Sequence, residues 1–175
     1  MNHTSIARTA CGAMVLAALL ASAACGGSGE AAQRQTLGQA PQAEGGQAAA
    51  PADGPLVVVY KTPTCGCCRK WVDHMQANGF RVEVHDVPNT APKRAEWGVP
   101  ESLGSCHTAK VEGYALEGHV SADDVKRLLA EKPQVAGIAA PGMPMGSPGM
   151  EGPVKDRYDV VAFTKDGQTS VFASH

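Results

Sequence analysis

Three cysteines fall within four consecutive positions of Thr62–Trp71 (TPTCGCCRKW), directly after a β-branched run. Cys65 and Cys68 have the C-x-x-C spacing of a dithiol redox pair. When such a pair lies between a strand and a helix N-terminus, the helix dipole and unpaired backbone N–H groups favour a thiolate on the first cysteine. Lys61, Arg69 and Lys70 add positive charge nearby. In this reading Cys65 is the exposed nucleophile and Cys68 its buried partner. Cys67 is then surplus, and a surplus thiol calls for a second chemistry.

Two further readings compete with a redox pair. The first is a structural disulfide scaffold among Cys65, Cys67, Cys68 and Cys106, which allows three pairings. A bridge inside the cluster closes almost no loop and stabilises little, and an adjacent Cys67–Cys68 bond is strained. The second is metal ligation, since Cys65, Cys67 and Cys68 with the distant Cys106-His107 offer four thiolates and an imidazole. A structural Zn(II) site normally draws on two separated cysteine knuckles, whereas here three thiols crowd one turn and Cys106 arrives alone. Crowded soft thiolates with thioethers nearby favour Cu(I), with zinc as the alternative. Met143, Met145 and Met150 supply thioethers from a loop of Gly and Pro, where no helical face exists for them to pack on.

The histidines divide by position. His107 beside Cys106 is the foremost candidate ligand, because one short segment then delivers two donors. His119, just before a helix cap, ranks second. His74 reads as part of a solvated helix face, His85 as surface, and His175 as a terminal residue without an assigned partner.

The elements that must hold these residues follow from the pattern. Leu56–Tyr60 reads as a buried central strand, Cys68–Gly79 as a helix, and Arg81–Val84 as a half-buried strand. A short helix is expected over Pro92–Trp97, then a strand or hairpin over Lys110–Val120. Ser121-Ala122-Asp123-Asp124 resembles a capping box opening a helix that runs to Lys132-Pro133. Ala139–Pro153, crowded with Gly, Pro and Met, reads as an irregular loop. Tyr158–Thr164 and Thr169–Phe172 flank Asp166-Gly167, a hairpin signal. The expected class is α/β, a small mixed sheet flanked by helices and ending in a hairpin.

The N-terminal third does not belong to that unit. The apolar run Ala10–Ala24 is too short to span a bilayer and ends in small residues, so residues 1–24 read as an export signal. Ala21-Ser22-Ala23 offers one cleavage site. Ser22-Ala23-Ala24-Cys25 resembles a lipobox that would make Cys25 a lipidated first residue and attach the protein to a membrane. Residues 25–54, mostly Gly, Ala, Gln and Pro, read as a flexible linker, leaving 55–175 as the folded domain. The 175 residues carry 15 Lys and Arg against 17 Asp and Glu. That balance leaves no basic footprint for nucleic acid. No nucleophilic triad, paired-carboxylate site or phosphate-binding glycine loop is apparent.

Taken together, the residues resemble the CopG-type family of bacterial copper-resistance proteins. The matching pieces are Val59–Cys68 with Trp71, Gly98-Val99-Pro100, Ser105–Ala109, Gly113-Tyr114, Glu117–Val120, Pro141–Pro144 and Gly146–Glu151. The resemblance implies a thioredoxin-like fold, an exported, periplasmic location and copper handling by the cysteine cluster. It carries the metal role onto Cys65, Cys67, Cys68 and Cys106, with His107 and the loop methionines near them, Met143 and Met150 ahead of Met145. It also implies a CxxC that undergoes thiol–disulfide change. The expectation is an exported protein that gathers Cu(I) when reduced and releases it when Cys65 and Cys68 are bridged. Its partners would be copper ions and other periplasmic copper-handling or redox proteins. The alternative is a thiol–disulfide oxidoreductase using Cys65 and Cys68 as its catalytic pair.

Overall fold

The computed structural model describes residues 53–175. The expected signal, nearly all of the linker and Cys25 lie outside the described residues. Strand β1, Leu56–Lys61, buries Val57 and Val59 completely, as suits branched side chains on a pleated surface. Helix α1, Gly66–Ala77, begins before the expected Cys68, because Cys65 acts as its N-cap: Cys65 Sγ accepts the Cys68 N–H at 3.3 Å. Such a cap satisfies one of the orphan donors of a first turn. Cys68, Trp71, Val72 and Met75 form the buried stripe of α1.

Strand β2, Arg81–Asp86, runs parallel to β1 at the sheet edge, and the short helix α2 follows over Ala91–Glu96. Strand β3, His107–Val111, and strand β4, Tyr114–Gly118, make a hairpin through Glu112 and Gly113, both at positive φ. β3 starts earlier than the expected Lys110, and this places His107 on a strand. Helix α3, Ala122–Glu131, is capped by Ser121, whose Oγ accepts the Asp124 N–H at 3.1 Å.

One strand was not expected. β5, Gly137–Ala140, is short and built of Gly, Ile and Ala, a composition with little intrinsic preference for extended structure. It is a strand because all four residues are buried between β4 and β6. A side chain at Gly137 would meet the Ala115 carbonyl oxygen at 2.1 Å, so only glycine fits there. The irregular loop therefore begins at Pro141 and not at Ala139. Strands β6, Asp159–Phe163, and β7, Thr169–Ser174, form the expected terminal hairpin.

The seven strands form one mixed sheet in the order β2-β1-β3-β4-β5-β6-β7, the α/β class read from the sequence. The main core joins Val57 and Val59 to Trp71 and Met75 of α1, Val125 and Leu128 of α3, and Ile138. Alternation along β4 sends Leu116 into this core and Ala115 into a smaller one with Val99, Leu103 and Phe163. Both faces of the central strands are thus covered. The end of the sheet at Lys61, His107 and Gly118 carries the chemistry.

Candidate metal centre

The first turn of α1 supplies one wall of the site. Cys65 and Cys68 are joined in a disulfide, and Cys67 and Cys106 are free. Cys67 Sγ lies 3.5 Å from Cys65 Sγ and 3.9 Å from Cys106 Sγ. Cys106 Sγ lies 3.4 Å from Cys68 Sγ. All four sulfurs fall within 4.8 Å of one another, a spacing that a metal ion can share.

The second wall comes from the ends of β3 and β4. Cys106 precedes β3, His107 opens it, and His119 follows β4. Cys106 Sγ is 3.0 Å from His119 Nε2 and 3.4 Å from His107 Nδ1. These three residues form a second group whose ligand atoms also lie within 4.8 Å of one another. Cys106 belongs to both groups. His119 Nδ1 donates to the Pro148 carbonyl at 2.8 Å, which leaves Nε2 of the neutral ring bare and facing Cys106. His107 is fully buried against Trp71, ring centroids 4.4 Å apart, and its Nε2 has no hydrogen-bond partner.

Burial sets the electrostatics here. It holds His107 at about 3, below the ordinary 6.5, with neighbouring His119 acting in the same direction. It also lowers His119, against the opposing pull of the Pro148 carbonyl. Burial first, and Cys67 second, push the Cys106 thiol up to about 12. Without a cation, this pocket therefore favours neutral imidazoles and a neutral thiol. A coordinated cation inverts that preference for the thiol, which is deprotonated by the ion's charge. Neutral imidazoles, a partnerless buried nitrogen and grouped sulfurs are the donor chemistry of a soft or borderline metal.

Behind the second wall stands a network that the sequence did not single out. Glu117 is fully buried, and its Oε1 accepts from Arg94 Nε at 2.8 Å and from the Ser105 N–H at 2.6 Å. Arg94 Nη2 donates to the Ser105 carbonyl at 2.7 Å. One ion pair thus holds both backbone polar groups of the residue before Cys106. Burial raises the Glu117 carboxyl, while Ser105 and Arg94 pull it down. The only sequence signal was an acidic residue at an inward position of an otherwise apolar strand.

The loop after β5 closes over α1. Gly149, at positive φ, packs so closely that a Cβ would lie 2.6 Å from the Cys67 carbonyl oxygen and 2.9 Å from the Trp71 nitrogen. Glu151 Oε1 accepts the Gly149 N–H at 2.7 Å, and Met150 N–H donates to the Ser147 carbonyl at 2.8 Å. Met145 and Met150 thereby line, with Cys67, Lys61 and Arg69, a cleft of about 950 Å³. Met143 is 53% exposed and does not line that cleft.

Residues 103–150 match a family model described as "Protein of unknown function, DUF411". The matched span contains Cys106, His107, His119 and the methionine loop, but not the helix wall. No curated protein matches the chain. Two solved structures do, described as copper resistance protein copG, form 2 and form 1, each 44% identical to this chain. They cover 70% of this chain and 99% and 98% of their own, with TM-scores of 0.67 and 0.66. The chain belongs to the CopG family of copper resistance proteins.

The remaining histidines of this CopG-family chain lie elsewhere. His74 Nε2 accepts the Ala122 N–H at 3.0 Å, so it caps α3 and is not a solvated side chain. His85 stacks on Tyr60 and pairs with Glu83 at 2.7 Å, near the surface as expected. His175 has a partner after all, Asp124 Oδ2 at 2.8 Å.

Proposed function

We propose that this protein is an exported copper-binding protein that gathers Cu(I) in its reduced state and yields it on oxidation. The observation that carries the reading is the convergence of four cysteine sulfurs with a Cys106–His107–His119 group, sharing Cys106. Soft thiolates and neutral imidazoles match Cu(I) better than hard cations. Cys65, Cys67, Cys68 and Cys106 are the proposed thiolate ligands. His107 and His119 stand behind them, and Met150 and Met145 lie at the cleft through which an ion would arrive. Met143 is the outermost candidate. Only thiolates bind strongly, so a Cys65–Cys68 disulfide withdraws two ligands and couples oxidation to release. Membership of a copper-resistance family supports copper over zinc.

A parallel strand–helix–strand unit with the dithiol at its first strand-to-helix junction supports a thioredoxin-like assignment. The apolar run Ala10–Ala24 supports export to the periplasm, and Cys25 is the proposed lipid attachment if the lipobox is used. Copper-handling or redox proteins of that compartment are the proposed partners.

The test is anaerobic titration of the reduced domain with Cu(I) against a moderate competing chelator. Retention of copper is expected, and transfer of all the copper to the chelator overturns the reading. A second reading, a thiol–disulfide oxidoreductase, draws support from the Cys65–Cys68 bridge at the α1 N-cap. It requires dithiol turnover that survives Cys67→Ser but not Cys65→Ser.

A further inference from the structure

Among the described residues a single disulfide, Cys65–Cys68, lies between two free thiols. The free sulfurs sit at opposite ends of the bridge, Cys67 Sγ 3.5 Å from Cys65 Sγ and Cys106 Sγ 3.4 Å from Cys68 Sγ. Thiol–disulfide exchange proceeds by attack of one sulfur on another while a third leaves. Reacting atoms held at such separations have already met the main entropic cost of the encounter.

The two exchanges are not equivalent. Attack by Cys67 on Cys65 expels Cys68, which is fully buried. A leaving thiolate is disfavoured there. Attack by Cys106 on Cys68 expels Cys65, which is half-buried and caps α1. The Cys68 N–H points at its sulfur from 3.3 Å, and the helix N-terminus favours an anion at that place. The better leaving group decides the direction.

We infer that the disulfide migrates inward, from Cys65–Cys68 to Cys68–Cys106, so that oxidation received at the outer dithiol reaches the sulfur shared by both donor groups. The Cys68–Cys106 bond forms as the Cys65–Cys68 bond breaks. The electron pair leaves on the Cys65 sulfur, and the proton given up by Cys106 ends there. The number of disulfides stays at one, and no external oxidant is consumed. Migration belongs to the minutes-to-hours range of uncatalysed disulfide rearrangement.

The consequence for copper rests on the function proposed above. With Cys65 and Cys68 bridged, Cys106, His107 and His119 remain together with Cys67. With Cys68 and Cys106 bridged, the four-sulfur group has lost two members and the Cys106–His107–His119 group has lost its sulfur. The protein then has two oxidised forms of unequal capacity for a soft metal, and full release belongs to the second.

The experiment holds metal-free, oxidised wild-type protein for hours without an alkylating agent, then labels it in denaturant with excess N-ethylmaleimide, digests it without reductant and maps it by mass spectrometry. Loss of the Cys65–Cys68 peptide pair is expected, with chains appearing that carry maleimide on Cys65 and a Cys68–Cys106 bridge. A bridge that stays at Cys65–Cys68, with Cys65 unlabelled throughout, overturns the migration. Cys65→Ser treated with oxidised glutathione is expected to form an intramolecular Cys68–Cys106 bond; mixed glutathione disulfides alone would overturn it too. Cu(I) added to the two bridged forms separates the inferences. Weaker retention by the Cys68–Cys106 form than by the Cys65–Cys68 form supports the coupling, and equal retention refutes it. Failure of even the reduced protein to hold copper removes the proposed function, while the disulfide map still decides the migration.

Discussion

The two walls of the centre differ in what can happen to them. The helix wall is all sulfur, three thiols on one turn at the rim of a cleft, with two of them joined in a bond that reduction breaks. The strand wall is mixed, with His107 and His119 fully buried and each fixed by a neighbour, Trp71 or the Pro148 carbonyl. Imidazoles do not bridge to one another, so apart from Cys106 that wall has one covalent state. A switchable wall therefore faces a permanent one, and Cys106 is the single residue through which the first can alter the second.

The sharpest way to break this contrast is through what anchors each wall. Glu117→Ala leaves Arg94 without its partner and the Ser105 N–H without an acceptor behind the strand wall. Urea denaturation should show a loss of about 3–5 kcal/mol, the range for breaking a buried pair from one side. A second ion pair, Lys61–Asp86 at 2.5 Å, joins the ends of β1 and β2 beside the cleft; Lys61 is buried, but Asp86 is half exposed. Asp86→Ala should cost less, about 1–2 kcal/mol, because Lys61 keeps the Thr62 carbonyl as an acceptor. Equal losses from the two variants would show that the strand wall is anchored no better than the strand ends beside the cleft.

The next largest effect concerns the shared sulfur. Cys106→Ala removes a member of both donor groups, and Cu(I) affinity in a chelator competition should fall by more than about 100-fold. Cys65→Ala touches one group only and should cost about tenfold, or about 1.4 kcal/mol. The reverse order would place the copper on the helix wall alone.

The last effect is the response to acid. His107, His119 and His74 all have folded-state values lowered by burial. Below the ordinary 6.5 the unfolded chain takes up protons that the folded chain refuses, so the stability of the metal-free domain rises with pH and falls as pH drops. For His107 the fall continues toward about 3. Denaturation curves of the apo domain at pH about 7 and about 4.5 should differ in that direction. A flat response would mean that these rings are already wet and that the strand wall is not dry.

How far the sequence could be read depended on the range of each interaction. The helix wall was legible because Cys65, Cys67 and Cys68 lie within one turn, and a β-branched run before them implies the strand-to-helix junction. The capping box at Ser121 and the Asp166-Gly167 hairpin were legible for the same local reason. β5 was not, since Gly137–Ala140 extends only because β4 and β6 flank it. His74 read as solvated because helical spacing alone does not reveal that the start of α3 lies above it. The Arg94–Glu117 pair was illegible because α2 and β4 meet only in the folded chain.

The thioethers mark the same boundary. The amino-acid order placed Met143, Met145 and Met150 in one Gly- and Pro-rich loop. Close packing of Gly149 on α1 decided that Met145 and Met150 line the cleft while Met143 stays in solvent. By itself the sequence determined the donor types, the dithiol and its place at a helix start, because side-chain chemistry and short-range geometry are carried by neighbouring residues. Only the tertiary structure decided that Cys106 stands between thiols and imidazoles. That position exists because β3 lies against β1 and β4 against β3, which brings Cys106 within reach of both Cys67 and His119.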